Sequence, residues 1–158
     1  MIILGIDPGT AATGYGLIKK NGELKLIEYG CIKTSASLTT AERLKELSNQ
    51  LNDLIKEHKP DMTAVEDIFF FKNLKTAIKV SQARGVILLA AANLNIPVFE
   101  YTPLQVKQAI TSYGRAEKIQ VQKMVKALLN LKEIPKPDDA SDALAVAICC
   151  ANSVNKGY

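Results

Sequence analysis

Four acidic residues stand where a fold can gather them into one site. Asp7 and Glu66 each come directly after a short apolar run of the kind that forms a buried strand. If those two strands are neighbours, both carboxylates emerge at the same edge of a sheet. Asp139 and Asp142 are spaced i and i+3, so a helix places them on one face. Three distant segments can therefore bring four carboxylates together.

Such a cluster suits the chemistry of divalent metal ions. Like charges held together repel one another and raise their pKa values unless a cation lies among them. Oxygen ligands with no His or Cys among them favour Mg²⁺ or Mn²⁺. Two such ions ~3.5–4 Å apart activate a water and stabilise the leaving oxygen in phosphodiester hydrolysis. The four carboxylates therefore predict a metal-dependent phosphodiesterase.

Each carboxylate also has a purely structural explanation. Asp7 can begin a turn with Pro8 and Gly9, and Glu66 can be a solvated strand end. Acidic residues in the first turn of a helix are stabilised by the helix dipole by ~0.3–1 kcal/mol and need no catalytic role. The coincidence of four such residues favours a site over four separate explanations.

The elements that must position these residues follow an alternating order. Three predicted strands come first, and a turn at Asn21-Gly22 joins the second to the third. A helix with a capping box at Thr39 and Glu42 follows, then a strand, a helix rich in small residues, a strand and three further helices. The predicted strands are residues 2–6, 14–19, 23–34, 62–65 and 97–101. This order predicts an α/β fold, a mixed five-stranded sheet with helices on both faces.

Length and charge narrow the function further. A chain of 158 residues predicts a single domain over residues 1–158. The net charge is only +4, but residues 72–126 carry 9 basic and 2 acidic side chains. Such an uneven distribution favours a polyanionic partner such as nucleic acid.

The cysteines and the apolar runs indicate the compartment. Cys31, Cys149 and Cys150 have no C-x-x-C spacing, which predicts free thiols rather than a disulfide framework or a zinc site. No apolar run approaches the ~20 residues of a membrane span, and no basic segment with a cleavage site marks a secretory signal. We therefore expect a protein of the reducing cytoplasm.

Short motifs recur in one register from residue 2 to about residue 150. They are Ile6-Asp7-Pro8-Gly9, Thr13-Gly14-Tyr15-Gly16, Glu66 followed by Phe69, Gln82-Ala83-Arg84-Gly85-Val86, Gln105-Val106-Lys107-Gln108, Ala116-Glu117-Lys118 with Gln120-Val121-Gln122, and Asp139-Ala140-Ser141-Asp142-Ala143-Leu144-Ala145. Together they resemble the RuvC family of Holliday-junction resolvases. Two positions vary: alanine is more usual where Ser141 stands, and some relatives have histidine where Asp139 stands.

This resemblance implies a fold and an activity. The fold is ribonuclease-H-like, of the retroviral-integrase superfamily, and the protein is a homodimer. It is a crossover junction endodeoxyribonuclease that resolves four-way DNA junctions by paired, symmetric, Mg²⁺-dependent nicking in homologous recombination and DNA repair. Two metal ions per active site are held by Asp7, Glu66, Asp139 and Asp142, with Mn²⁺ able to substitute. The resemblance also implies cooperation with the RuvA and RuvB branch-migration proteins.

The same resemblance assigns DNA-binding residues. Three consecutive Phe, residues 69–71, cannot all face one core, and an exposed Phe beside a nuclease centre can stack on an unpaired base, worth ~1–3 kcal/mol. The alternative is a hydrophobic plug at a strand end; the resemblance favours Phe69 as the stacking residue. Lys107 and Lys118 match lysines that contact DNA in the family. Three further lysines, at i, i+3 and i+7, share a helix face and can contact phosphates: Lys72, Lys75 and Lys79.

Other functions fit parts of the sequence. Asp7-x-Gly9-Thr10 after an apolar strand resembles the first phosphate loop of the actin-like sugar kinases, but the other nucleotide-binding elements of those enzymes are missing. A ribonuclease-H-like nuclease that processes RNA would share the fold and the metals. A non-catalytic junction-binding protein would share the basic segment, although it would not need the full set of carboxylates.

Two details remain open at this point. Asp138 follows Pro137, which predicts that Asp138 is the N-cap of the last helix and accepts the N–H of Ala140 or Ser141. Helix geometry alone does not decide between Asp138 and Asp139, since either shares a face with Asp142. The resemblance, aligned on Asp142-Ala143-Leu144-Ala145, implies that Asp139 has the metal role. The helix rich in small residues can pack closely on the sheet or form a dimer seam, and the resemblance suggests that part of it lies at the dimer interface.

Overall fold

The computed structural model describes residues 1–9, 11–67 and 74–154, with only the backbone for residues 74–76. Five strands and five helices are assigned within these ranges. They are β1 (Ile2–Asp7), β2 (Ala12–Asn21), β3 (Glu23–Lys33), α1 (Thr40–His58), β4 (Met62–Glu66), α2 (Leu74–Asn93), β5 (Val98–Tyr101), α3 (Pro103–Thr111), α4 (Lys118–Leu128) and α5 (Asp138–Val154).

The strands form one mixed sheet in the order β3-β2-β1-β4-β5. β2 pairs antiparallel with both β1 and β3, whereas β4 runs parallel to β1 and to β5. The predicted hairpin between β2 and β3 is confirmed, with Gly22 at a φ of 76° in the turn. β2 extends beyond the predicted 14–19 because Ala12 and Thr13 also pair with β3.

Helices cover both faces of the sheet, as predicted. Alternate strand residues point to opposite faces, so Leu4 and Ile6 pack with α1 and α2 while Ile3 packs with α3, α4 and α5. The capping box of Thr39 and Glu42 at the start of α1 is confirmed. Each face of the sheet therefore has its own hydrophobic core.

α5 is the central helix of its layer. Most of its residues are buried, including its two cysteines, which are free thiols. It can approach the sheet closely because β1 and β2 carry glycines where the helix crosses. A Cβ at Gly5 would overlap the carbonyl oxygen of Ala143, and one at Gly14 would overlap the carbonyl oxygen of Asp139. This contact places the first turns of α5 directly on the strands that precede the candidate site.

No helix in these ranges is both long and apolar enough to cross a membrane.

Candidate active site

The two strand-end carboxylates lie side by side. β1 and β4 are parallel neighbours with Ile6 opposite Val65, so Asp7 and Glu66 emerge at the same edge of the sheet. The sequence predicted this arrangement, and the strand pairing confirms it. The two carboxyl groups lie close enough to influence each other's pKa.

The pKa values of both carboxyl groups are raised above their ordinary values. Burial, then the charges of Glu66, Asp142 and Asp139, raise the pKa of Asp7 from 3.8 to about 8. Burial and the charge of Asp142 raise the pKa of Glu66, although Lys118 and Lys107 oppose the shift. A cation placed among these carboxyl groups would lower their pKa values and favour their charged forms.

The start of α5 brings the other two predicted carboxylates to this edge. Gly14 lies opposite Asp7 in the β1–β2 pairing and directly beneath the backbone of Asp139. Asp142 is half-buried one turn further on, and burial is the main cause that raises its pKa. The charges of Glu66, Asp139 and Asp142 therefore all act on Asp7 and contribute to its raised pKa.

A cleft of about 220 Å³ opens beside these residues. It is lined by Glu66, Pro103, Val106, Lys107, Lys118, Val121, Asp142 and Ala145. Nζ of Lys118 lies 2.8 Å from Oδ2 of Asp142. The two lysines that the sequence singled out most strongly thus share a cleft with two of the four carboxylates.

The donor chemistry of the cluster fits a hard divalent cation. All four candidate ligands are carboxylates, and the raised pKa values of Asp7, Glu66 and Asp142 are ones that a nearby cation would lower. Within residues 1–9, 11–67 and 74–154, no three His, Cys, Asp or Glu side chains converge closely enough to hold an ion in their present positions. The ammonium of Lys118 lies against Asp142 and Asp138 and offsets part of the negative charge.

Asp138 does not act as the N-cap, so that prediction was wrong. α5 already begins at Asp138, and the N–H groups of Ala140 and Ser141 donate to the carbonyl oxygen of Pro137, at 3.1 and 3.3 Å. The Asp138 carboxylate turns outward, where it forms interactions with charged and polar groups of α4.

Two residues of α4 hold Asp138. Nε2 of Gln122 donates to Oδ1 of Asp138 at 3.1 Å, and Nζ of Lys118 lies 3.4 Å from Oδ2. The charge of Lys118, followed by the hydrogen bond from Gln122, lowers the pKa of Asp138. Gln122 was not predicted to contact Asp138; the only signal for it in the sequence is its spacing of i+4 from Lys118 on α4.

The remaining predicted DNA-binding residues are placed only in part. Lys79 is exposed on α2 and lines a cavity of about 40 Å³ with Arg43 and with Gly9 and Ala12 of the segment after Asp7. The side chain of Lys75 lies outside the described residues, although its backbone belongs to α2. Thr10, Phe69, Phe70, Phe71 and Lys72 also lie outside the described residues.

Comparison with known proteins gives consistent matches over nearly the whole chain. The sequence profile of the family described as "Crossover junction endodeoxyribonuclease RuvC" matches residues 3–150. The protein of that name from Desulfitobacterium hafniense is 60% identical over 98% of this chain and 94% of its own length. The one from Halothermothrix orenii is 57% identical over 97% of this chain and 93% of its own length.

Solved structures agree with these matches. Thermus thermophilus RuvC superposes with a TM-score of 0.93 at 35% identity, covering 99% of this chain and 97% of that one. The same protein in complex with a Holliday junction substrate gives a TM-score of 0.91 at 34% identity, with equal coverage. The predicted ribonuclease-H-like fold is confirmed by this similarity.

Proposed function

This chain belongs to the RuvC family of crossover junction endodeoxyribonucleases, and we propose that it resolves Holliday junctions by paired, symmetric nicking during homologous recombination and DNA repair. The observation that carries the proposal is the meeting of β1, β4 and α5 at one edge of the sheet, which puts Asp7, Glu66, Asp139 and Asp142 within electrostatic range of one another. The Thermus protein in complex with junction DNA, of closely similar fold, supports the substrate.

The four carboxylates are the proposed metal ligands. Their oxygen donors suit two Mg²⁺ ions, with Mn²⁺ able to substitute. Bound there, the ions supply an activated water and stabilise the leaving oxygen of the cut phosphodiester. The protein's part is to hold the carboxylates ready: the close packing of α5 on Gly14 fixes Asp139 beside Asp7.

The lysines of the cleft are the proposed contacts to the DNA backbone. Lys107 and Lys118 line the same cleft as Glu66, so a phosphate in the cleft would meet positive charge beside the ligands. The ammonium of Lys118 offsets the charge of Asp142 and is available to pair with a phosphate when a cation takes over that task. Lys79 is exposed on α2 and is a further proposed contact to the DNA backbone. Lys72 and Lys75 are proposed contacts, and Phe69 the proposed stacking residue, on the sequence alone.

A homodimer is the proposed active assembly. A four-way junction has near two-fold symmetry, so a C₂ dimer places one active site on each of two opposed strands. On α2, Ile78 and Leu89 are exposed by 63% and 60%, and a Cβ at Gly85 between them would meet open space. This apolar stripe is the proposed seam. The proposed partners beyond DNA are the RuvA and RuvB branch-migration proteins, and the proposed compartment is the cytoplasm.

A cleavage assay on three substrates tests the function. Equal concentrations of a four-way DNA junction, a linear DNA duplex and a structured RNA are incubated with the protein, with and without Mg²⁺. We expect paired nicks at equivalent positions on two strands of the junction, in the presence of Mg²⁺ alone. Preferential cleavage of the RNA, or junction binding with no nicking in any divalent metal, contradicts the proposal.

A further inference from the structure

Arg84 joins α2 to two strand ends beside the site. Its Nη2 atom forms an ion pair with Oε2 of Glu100 in β5 and lies 3.3 Å from Oδ1 of Asp67, which directly follows β4. The Arg84 side chain is only 20% exposed. One largely buried guanidinium therefore neutralises two carboxylates that would otherwise repel each other across neighbouring strands.

Asp67 is adjacent to the candidate ligand Glu66. Glu66 pairs with Tyr101 in the β4–β5 register, and the N–H of Asp67 donates to the Tyr101 carbonyl oxygen at 2.8 Å. Successive residues of a strand point to opposite faces. Glu66 faces the cleft beside α5, whereas Asp67 faces Arg84 on the α2 side. At the end of β4, Glu66 therefore lies in the cleft on one face and Asp67 contacts Arg84 on the other, while the backbone is hydrogen-bonded to β5.

We propose, building on the nuclease function above, that Arg84 is a positioning residue for Glu66. By holding Asp67 and Glu100 it fixes the backbone at the end of β4, so that the Glu66 carboxylate stays in the cleft that it shares with Asp142. A guanidinium is planar and presents several donors to carboxylates, whereas a lysine ammonium is a point charge on a flexible stem. The role therefore depends on arginine and not on positive charge alone.

The test measures metal binding directly as well as cleavage. Mn²⁺ is titrated into the metal-free dimer and free Mn²⁺ is followed by electron paramagnetic resonance, for wild type, Arg84→Gln and Arg84→Lys. We expect Mn²⁺ affinity and the nicking rate at saturating Mg²⁺ each to fall ~10–100-fold in Arg84→Gln, as for other residues that orient a metal ligand. Arg84→Lys should fall between Arg84→Gln and wild type, and the Kd for junction DNA in Ca²⁺ should stay unchanged.

Two further variants separate positioning from general stability. Lys56→Gln is the matched control, because it also removes one positive charge. Lys56 lies beside a groove formed by Pro60 and Ile96, at the opposite end of the sheet from Glu66. This variant should behave as wild type. Asp67→Asn keeps the Arg84–Glu100 ion pair but weakens the contact between Arg84 and the end of β4, next to Glu66. This variant should therefore also lose Mn²⁺ affinity. It replaces Arg84→Gln if that variant does not fold.

The outcomes are distinct. If Arg84→Gln keeps wild-type Mn²⁺ affinity and nicking rate per folded molecule, the positioning role is overturned, even if the melting temperature drops. If Arg84→Gln does not fold, the same result in Asp67→Asn overturns the role. If wild type itself does not nick the junction, the nuclease function fails, which the wild-type lane of the same assay shows independently of the variants.

Discussion

Two sets of carboxyl groups in this molecule have their pKa values shifted in opposite directions. The carboxyl groups at the strand ends have raised pKa values, and the first carboxyl group of α5 has a lowered one. Asp7 and Glu66 are half-buried, and desolvation together with neighbouring carboxylates raises their pKa values. Asp138 is exposed, is held by Lys118 and Gln122, and its pKa is lowered. The first pair carries an electrostatic cost within the fold, whereas the third residue is stabilised. Because strongly shifted pKa values cluster at functional sites, the raised pKa values at this edge of the sheet indicate a functional site.

Asp142 connects the two states. It is half-buried like the strand-end pair, and burial raises its pKa, yet its carboxylate is paired with the same Lys118 that holds Asp138. Lys118 is therefore shared between a proposed metal ligand, Asp142, and a carboxylate proposed to have no metal role, Asp138. Substitutions at Asp142 and Asp138 can therefore distinguish a residue needed for catalysis from one that stabilises the packing of α4 on α5.

The largest effect is expected from neutralising the strand-end pair. Asp7→Asn or Glu66→Gln should reduce Mg²⁺-dependent nicking by at least about a thousandfold, because each removes a proposed ligand of the ions that activate water. Junction binding, measured by gel shift in Ca²⁺, should stay equal or become tighter since the basic surface is intact.

The control for this experiment is a substitution of the same kind elsewhere. Asp53 is exposed on α1, and Asp53→Asn should leave both nicking and binding unchanged. Nicking in Asp7→Asn above about a thousandth of the wild-type rate would show that the buried pair is not the metal site.

The buried pair also predicts how stability depends on pH. The folded-state pKa of Asp7 is raised from 3.8 to about 8, so between these values the native protein binds more protons than the unfolded chain. Stability of the metal-free protein should therefore fall as pH rises from about 4 to about 8. Thermal melts at several pH values in EDTA measure this slope.

Two comparisons sharpen that measurement. Asp7→Asn cannot ionise, so its melting temperature should change less with pH across the same window. Added Mg²⁺ should stabilise wild type most at high pH, where the carboxylates are ionised and available as ligands. A wild-type melting temperature that rises steadily from pH 4 to pH 8 in EDTA would mean that the pair is not destabilising.

Local patterns carried most of the fold and the placement of Asp7 and Glu66. Both follow short, mostly apolar runs typical of central strands, and central strands of one sheet are often neighbours. The partner of Asp138 was not predictable in this way. An aspartate after proline at a helix start fits an N-cap, and only the tertiary packing of α4 on α5 brings Lys118 and Gln122 within reach. Arg84 likewise sits in a motif whose spacing says nothing of Asp67 and Glu100.

The lysines of the cleft should give a smaller and salt-dependent effect. Lys107→Ala should weaken junction binding at all sequences alike and reduce the slope of log K against log salt concentration by about 1, as expected for one lost phosphate contact. Fluorescence anisotropy in Ca²⁺ at several salt concentrations measures that slope. Lys25→Ala, on the exposed part of β3, is the matched control and should keep the wild-type slope.

The smallest effect is expected at Asp138, and it decides the register of the metal ligands on α5. Asp139→Asn and Asp142→Asn should lose nicking with little change in melting temperature, because each removes a ligand charge from a repulsive cluster. Asp138→Asn should keep most of the nicking activity, since an asparagine oxygen can still accept from Gln122 and Lys118 retains Asp142. If Asp138→Asn abolishes nicking while Asp139→Asn does not, the outward-facing carboxylate is the ligand and the assignment is wrong by one residue.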